Sequence, residues 1–432
     1  MSRQTIRPGA PLAGVAELPG DKSISHRYAI LAALAHGPSE IGNFPTSEDC
    51  AATLSCLRRL GVRMDVRSGH VVFHGGGSES WKFSRRSLDA GNSGTTMRLL
   101  AGVLASRPFP STLTGDASLR RRPMRRVVEP LIRMGASIEA RDGEFAPLVI
   151  HGRELHAINH SVPVASSQVK SALLLAALFA KGRTTLVEPA ATRDHMEIAL
   201  REFNVPIVTN RRTVHLDGGG TLKGRSLWVP GDFSSAAFFI AAALVVPGSK
   251  LVLRNVGLNP TRTALLDVLA SWGAPVRISA VDTRAGELYG DLTIQHGSLK
   301  GGLISGPCAT RLIDELPVLA VLGPFTEAGV EIRDAAELRV KESDRIAVLT
   351  ENLRQMGAQV EEFPDGLAVA GGSAGPLRGA RLDPAGDHRI AMALTVAALG
   401  AGTESTLRAA DCAAVSFPGF FTLLEKMRGG KN

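Results

Sequence analysis

LPGDKSISHRYAILAALA, residues 18–35, is the stretch from which the rest of the chain can be read. A Pro-Gly turn leads into a crowd of polar residues, Asp21, Lys22, Ser23, Ser25, His26 and Arg27. The stretch closes on an apolar run from Tyr28 to Ala35. Glycine permits the tight turn, and Ser23 or Ser25 can cap the first free N–H groups of a helix whose body is buried. The start of such a helix suits an anion, because its N–H groups point outward at the positive end of the dipole. Lys22 and Arg27 add full charge there. A capped core helix with two solvated cations is the plainer alternative.

The design recurs. Polar starts followed by apolar runs stand at Asn92 (NSGTTMRLLAGVLA), Ser166 (SSQVKSALLLAALFA), Ser234 (SSAAFFIAAALVV), Ile313 (IDELPVLAVLG) and His388 (HRIAMALTVAALG). Counted from Ser23, the six starts are separated by 69, 74, 68, 79 and 75 residues. A second series between them ends in a glycine turn: LRRLGV at Gly61, LIRMGA at Gly135, VLASWGA at Gly273 and LRQMGA at Gly357. LREFNV at Asn204 and LLEKMRGG near the C-terminus are weaker copies. Gly or Asn falls where a left-handed helix terminus needs it. The period exceeds that of solenoid repeats, so the pattern predicts six similar α/β units. LPGD at Leu18–Asp21 returns as VPGD at Val229–Asp232, 211 residues later. These turns read as paired crossings between two similar halves, one domain over 22–231 and a discontinuous one over 1–21 and 232–432.

Composition narrows the function. With 432 residues, 44% of them hydrophobic, the chain can bury two large cores. A net charge of +8 suits anionic partners. Nucleic acid and small phosphorylated acids both meet that description, although only 5% of residues are aromatic, which disfavours a surface built to stack bases. Cys50, Cys56, Cys308 and Cys412 show neither zinc spacing nor a disulfide framework, and a reducing, cytoplasmic compartment is expected. MSRQTIRPGAPLAG lacks a signal-peptide apolar core, and the apolar runs are too short for a bilayer, so no membrane association is expected. His70 and His74 lie four apart in HVVFHG, but no third ligand is near, and no metal is expected.

Other clusters are ambiguous alone. Arg120–Arg126 holds five arginines, usually a solvated loop. SSQVKS offers Ser, Gln and Lys donors at one helix start, and TRDHME follows at 192–197. IDELP puts acids where they commonly cap a helix. In ELRVKESDR, Lys341 and Arg345 are four apart and would share a helical face, with Glu342 and Asp344 between. In DHRIAM, Arg389 enters an apolar helix and needs a partner, which an anion would supply.

Together, LPGDKSISHR, GNSGTTMR, RRPM, SSQVKSA, TRDH, PGDFSS, RVKESDR, DHRIAMA and SFP at Ser416–Pro418 resemble the 5-enolpyruvylshikimate-3-phosphate synthase family, in its order and over nearly the whole chain. The resemblance implies an α/β fold of two similar domains, each of three βαβαββ units in an inside-out α/β barrel, with helix starts aimed at a cleft between them. It also implies the reaction. Enolpyruvate passes from phosphoenolpyruvate to the 5-hydroxyl of shikimate 3-phosphate, releasing phosphate through a tetrahedral intermediate without metal or organic cofactor. The first half would be the shikimate 3-phosphate side, and the second would hold phosphoenolpyruvate and the catalytic carboxylates. A monomer is expected.

Carried over residue by residue, the family pattern puts Lys22, Ser23, Arg27, Ser166, Ser167, Gln168, Thr192 and Arg193 on shikimate 3-phosphate, with Asp314 and Lys341 also touching it. It puts Lys22, Gly94, Arg122, Gln168, Arg345 and Arg389 on phosphoenolpyruvate. Asp314 would be the base toward the 5-hydroxyl and Glu342 the acid toward the methylene carbon, with Lys22 and Lys341 beside the reacting centre. Two positions depart from many members, Val415 replacing a lysine and Glu337 an asparagine, and His195 replaces a tyrosine that some members use. One alternative is the related transferase acting on UDP-N-acetylglucosamine. It uses a cysteine in the loop that here reads TGDASLRRRPM and has none. The other is a non-enzymatic polyanion binder, which the acids among the motifs oppose.

Overall fold

The computed structural model describes residues 2–372 and 376–429 of a mixed α/β protein. Close packing divides the chain into two units. The flanking unit comprises Met1–Leu18, Pro230–Asp282 and Leu288–Asn432, and the middle unit Pro19–Val229 and Thr283–Glu287; both are named for their place in the sequence. Each has its own hydrophobic core.

One sheet pattern recurs. In the middle unit, Ser39–Gly42 lies parallel to Ser226–Trp228 and antiparallel to His70–Phe73, whose hairpin partner Met64–Arg67 forms the far edge. Pro110–Thr114 and Arg183–Val187 are placed in the same way in two further four-stranded sheets. The flanking unit repeats the order around Lys250–Gly257, parallel to Ala13–Glu17, and around Val330–Ile332, parallel to Gly302–Ile304. Its third sheet has three strands. Ser405–Arg408 lies parallel to Arg381–Leu382 and antiparallel to Arg3–Ile6. Strand residues alternate, as in the exposed–buried pattern of Arg183–Val187, so each sheet turns one face to the core.

Against those faces lie the apolar runs. Phe233–Val245 and His388–Leu399 are buried along their whole length, and Lys22–Leu34 from Ile24 onward. Helices apolar all round have no solvent face to present, which is why they show little amphipathic period. The Gly and Asn turns predicted from sequence are left-handed: Gly61, Gly135, Asn204, Gly273 and Gly357 have φ of 86°, 106°, 66°, 81° and 89°. Each donates back into the last helical turn, and the next residue reaches one residue further, as Gly61 N to Arg58 O and Val62 N to Leu57 O. That double bond pattern is a Schellman cap, and a β-carbon at φ near +90° would strain it.

Two local expectations fail. The IDELP stretch forms only a five-residue helix, Leu316–Ala320, and Glu315 at its start makes no capping bond. Its carboxylate is engaged by Arg262 instead. In ELRVKESDR, Ala336–Val340 is a 3-10 turn and the α-helix begins at Arg345, so Lys341 is extended and shares no helical face with Arg345. Asp344 is the cause, because its side chain accepts from Ala347 N at 3.1 Å and starts the helix there.

Candidate active site

In the middle unit the polar starts hold one another. Asp21, not Ser23 or Ser25, caps the Lys22–Leu34 helix, accepting from Ile24 N at 2.9 Å. Ser25 donates to Asp21 O at 2.8 Å. The Lys22 ammonium donates to Asp49 Oδ2 at 2.7 Å, from the Glu48–Arg59 helix. Arg27 is not a solvated cation at the helix mouth. It is 1% exposed and donates to Ser23 O at 2.7 Å and to Ser171 Oγ at 2.9 Å. Burial, and then the neighbouring Arg193, push its pKa down to about 10.

Ser93 caps the Gly94–Leu104 helix through Thr96 N, and Ser166 caps Ser167–Ala177 through Val169 N. The second and third starts meet where Arg98 donates to Gln168 Oε1 at 2.6 Å and Gln168 donates to Thr95 Oγ1 at 2.9 Å. Arg122, alone among the five arginines of its run, is buried, and it donates to Asn92 Oδ1 at 2.7 Å and Asn92 O at 3.3 Å. The structure therefore brings Ser23, Arg27 and Ser167 together, and Gly94, Arg122 and Gln168 beside Arg98. Lys170, counted in sequence among helix-start donors, instead turns inward to Glu188 at 3.0 Å and Glu197 at 2.7 Å. Burial raises the Glu197 carboxyl, opposed by Lys170. Thr192 donates to Glu188. His195 meets Glu287 at 2.7 Å, both fully buried.

Beneath these starts runs a second network. Thr96 Oγ1 lies 2.8 Å from Ser93 Oγ and shares a hydrogen bond of 2.6 Å with Thr53 Oγ1. Thr53 Oγ1 also lies 2.7 Å from His26 Nδ1, so the imidazole joins the same chain of hydrogen bonds. His26 Nε2 is left to face the Cys50 thiol at 4.0 Å. The His26 pKa is pushed down to about 3, by burial first and then by Lys22 and Arg27, while burial pushes the Cys50 thiol up to about 12.

In the flanking unit, Arg389 donates to Asp314 O at 2.9 Å and Ser234 Oγ at 3.1 Å and faces the Asp314 carboxylate at 3.6 Å. The protein itself thus supplies the partner that an anion was expected to supply. Ser234 donates to Glu315 Oε1 at 2.8 Å, and Arg262 grips Glu315 Oε2 at 2.9 Å. Arg345 is 1% exposed. It donates to Asp387 Oδ2 at 2.8 Å and Glu342 Oε2 at 2.7 Å. Its Nη1 has no hydrogen-bond partner among the described residues. Burial alone would lower this guanidinium, yet Asp387 and Glu342 hold it above its ordinary value. Lys341 sits 3.8 Å from Glu337. Its pKa is lowered, by desolvation first, against the raising pull of Glu337, Asp314 and Glu342 and with Arg345 adding to the fall. Asp314, Lys341, Glu342, Arg345 and Arg389 thus form one charged neighbourhood. The sequence reading missed Asp49, Arg262 and Glu315 as partners, and nothing local marks them, since Asp49 is 27 residues from Lys22 and Glu315 is 53 from Arg262.

No cysteine lies in either cluster as a thiolate. Burial pushes Cys56 and Cys412 up to about 12, and raises Cys308. Among the described residues no group of three or more His, Cys, Asp or Glu is arranged to hold a metal, and no helix is long and apolar enough to cross a membrane.

A mixed α/β scaffold that gathers buried arginines, lysines and paired carboxylates at its helix starts defines an enzyme for small anions. Residues 6–424 match the family EPSP synthase (3-phosphoshikimate 1-carboxyvinyltransferase), and the chain belongs to that family. It is 51% identical over 422 residues to the 3-phosphoshikimate 1-carboxyvinyltransferase of Solibacter usitatus, covering 98% of this chain and 99% of the relative. It is 50% identical over 427 residues to that of Koribacter versatilis, covering 99% of each. EPSP synthase from Acinetobacter baumannii superposes with a TM-score of 0.87 at 39% identity, covering 98% of both chains. The fold is therefore that of EPSP synthase.

Proposed function

We infer that the chain is a 3-phosphoshikimate 1-carboxyvinyltransferase of the shikimate pathway, acting on phosphoenolpyruvate and shikimate 3-phosphate. Lys22, Ser23, Arg27, Ser166, Ser167, Gln168, Thr192 and Arg193 receive shikimate 3-phosphate. Arg122, Arg345 and Arg389 hold the phosphate and carboxylate of phosphoenolpyruvate, with Gly94 leaving room for it. The observation that carries this assignment is the neighbourhood of Lys341, where the carboxylates of Asp314 and Glu342, with Glu337, lie beside an ammonium of lowered pKa and a buried guanidinium with an unpaired nitrogen. Such a setting suits opposite proton tasks and a developing charge.

In the proposed course, Glu342 protonates the methylene carbon of phosphoenolpyruvate while Asp314 takes the proton of the 5-hydroxyl, whose oxygen bonds to the enol carbon. The tetrahedral ketal phosphate then returns a methyl proton to the Glu342 carboxylate, and phosphate leaves with the proton that Asp314 holds, giving the enolpyruvyl ether. The recurring sheet order supports two domains of three βαβαββ units each, divided near residues 21 and 231. The groups proposed for the two substrates come from both units, so turnover draws on both.

The test is phosphate release. It should require both substrates and fail with either alone. Lys22→Ala should abolish it, because the substrate phosphate loses its direct cation. Activity within about tenfold of the unsubstituted enzyme, or ~1.4 kcal/mol of barrier, would overturn the role of Lys22.

A further inference from the structure

A cavity of about 480 Å³ opens on the outer face of the three-stranded sheet in the flanking unit. Arg3, Arg381 and Arg408 line it, with Thr406 between them and the Arg345–Gln355 helix along one side. Strand register puts these side chains on one face. Arg3 stands directly opposite Arg408, and Arg381 beside Thr406, while the alternate residues Ile6, Leu382 and Leu407 are buried on the other face. Two arginines directly opposite repel. Arg408 has one long ion pair, 3.9 Å to Asp383. Among the described residues, Arg3 and Arg381 have no side-chain hydrogen bond or ion pair.

The wall behind them is fixed. Asn352 donates to Val348 O at 2.7 Å and Asp383 O at 2.9 Å, and accepts from Asp383 N at 2.8 Å. Three guanidinium forks against the carboxylates of Asp383 and Glu351 leave the cavity positive. Side chains paired across strands start only about 5 Å apart, close enough for their forks to share one ligand. Planar forks match carboxylate and phosphate oxygens two at a time. Solvated arginines on a sheet edge are ordinary. A like-charged pair facing a cavity whose wall is held open is not.

We propose that this cavity binds a small anion bearing a phosphate group or paired carboxylates. It is distinct from the candidate active site: Asn352 lies seven residues, roughly 10 Å, along the helix that begins at Arg345. The experiment is a calorimetric titration at low salt with inorganic phosphate in one arm and malonate in the other. It compares the unsubstituted enzyme with Arg381→Gln/Arg408→Gln, and with Arg3→Gln as a second variant. Turnover should be unchanged in both variants, which certifies their fold. The unsubstituted enzyme should take up one more equivalent of at least one probe than the double variant, with Arg3→Gln weakening that site about tenfold. The arm that shows the extra equivalent identifies the ligand as phosphate or dicarboxylate. Equal stoichiometry in all three proteins with both probes overturns the proposal.

Discussion

Gly94 stands first in its helix, and a β-carbon there would lie 2.8 Å from Arg98 Nη1 and 3.6 Å from Arg122 Nη1. Its φ is not left-handed, so alanine costs no backbone strain. The methyl group must displace the end of Arg98, which Gln168 holds at 2.6 Å. Gly94→Ala should therefore fold normally yet raise KM for phosphoenolpyruvate, and raise the inhibition constant of the slightly longer mimic glyphosate by a larger factor, about tenfold or ~1.4 kcal/mol. Steady-state kinetics decide it, since equal factors would mean that the displaced arginine does not reach the ligand. The candidate residues could be named from the sequence because most of them sit in short motifs at or just before a helix start. Their partners were not. Lys22 finds Asp49 and Arg262 finds Glu315 only through the fold, and a sequence read locally gives Arg27 or Arg389 a charge without saying that protein atoms already engage it.

Between the Lys22–Leu34, Glu48–Arg59 and Gly94–Leu104 helices, the chain from His26 through Thr53 and Thr96 to Ser93 ties three elements together. His26 stays neutral in the fold down to pH about 3, against 6.5 for an ordinary imidazole. Below pH 6.5 the unfolded chain gains a proton that the folded one refuses, so stability falls as pH drops toward 3. His26→Asn keeps an amide for Thr53 and removes the titration. The stability lead of the unsubstituted protein over this variant should shrink by about 2 kcal/mol from pH 7 to pH 5, read by denaturant unfolding. A gap that does not move with pH would mean that His26 titrates alike in both states. Helix ends were the most legible elements. A glycine or asparagine in a left-handed cap is dictated by backbone sterics alone, and the turns at Gly61, Gly135, Asn204, Gly273 and Gly357 have that conformation. The start of the Arg345–Gln355 helix was misplaced because residue spacing ignores caps, and Asp344 decides where the turn begins.

At the scale of the molecule, two hydrophobic cores belong to two units, and most of the groups proposed for shikimate 3-phosphate lie in one of them. That ligand stabilises what it binds. Scanning calorimetry with saturating shikimate 3-phosphate should thus raise the unfolding transition of the middle unit more than that of the flanking unit, whereas equal shifts would contradict the division of contacts. The recurrence of helices was legible because a buried helix with a polar start is written in consecutive residues. The pairing of Arg3–Ile6 with Ser405–Arg408 was not, since nothing in RQTI names a partner so distant; the nearby Ser2–Asp411 bond spans 409 positions. This pairing sets an order of events during synthesis. The three four-stranded sheets of the middle unit can close once residue 228 has emerged, but Arg3–Ile6 must wait for residue 405. At cellular elongation rates that wait is roughly 20–80 s. Through it a bare strand is exposed to every other nascent edge. Arg3 within it, and Arg7 and Pro8 immediately after it, are the residue types that discourage such mispairing.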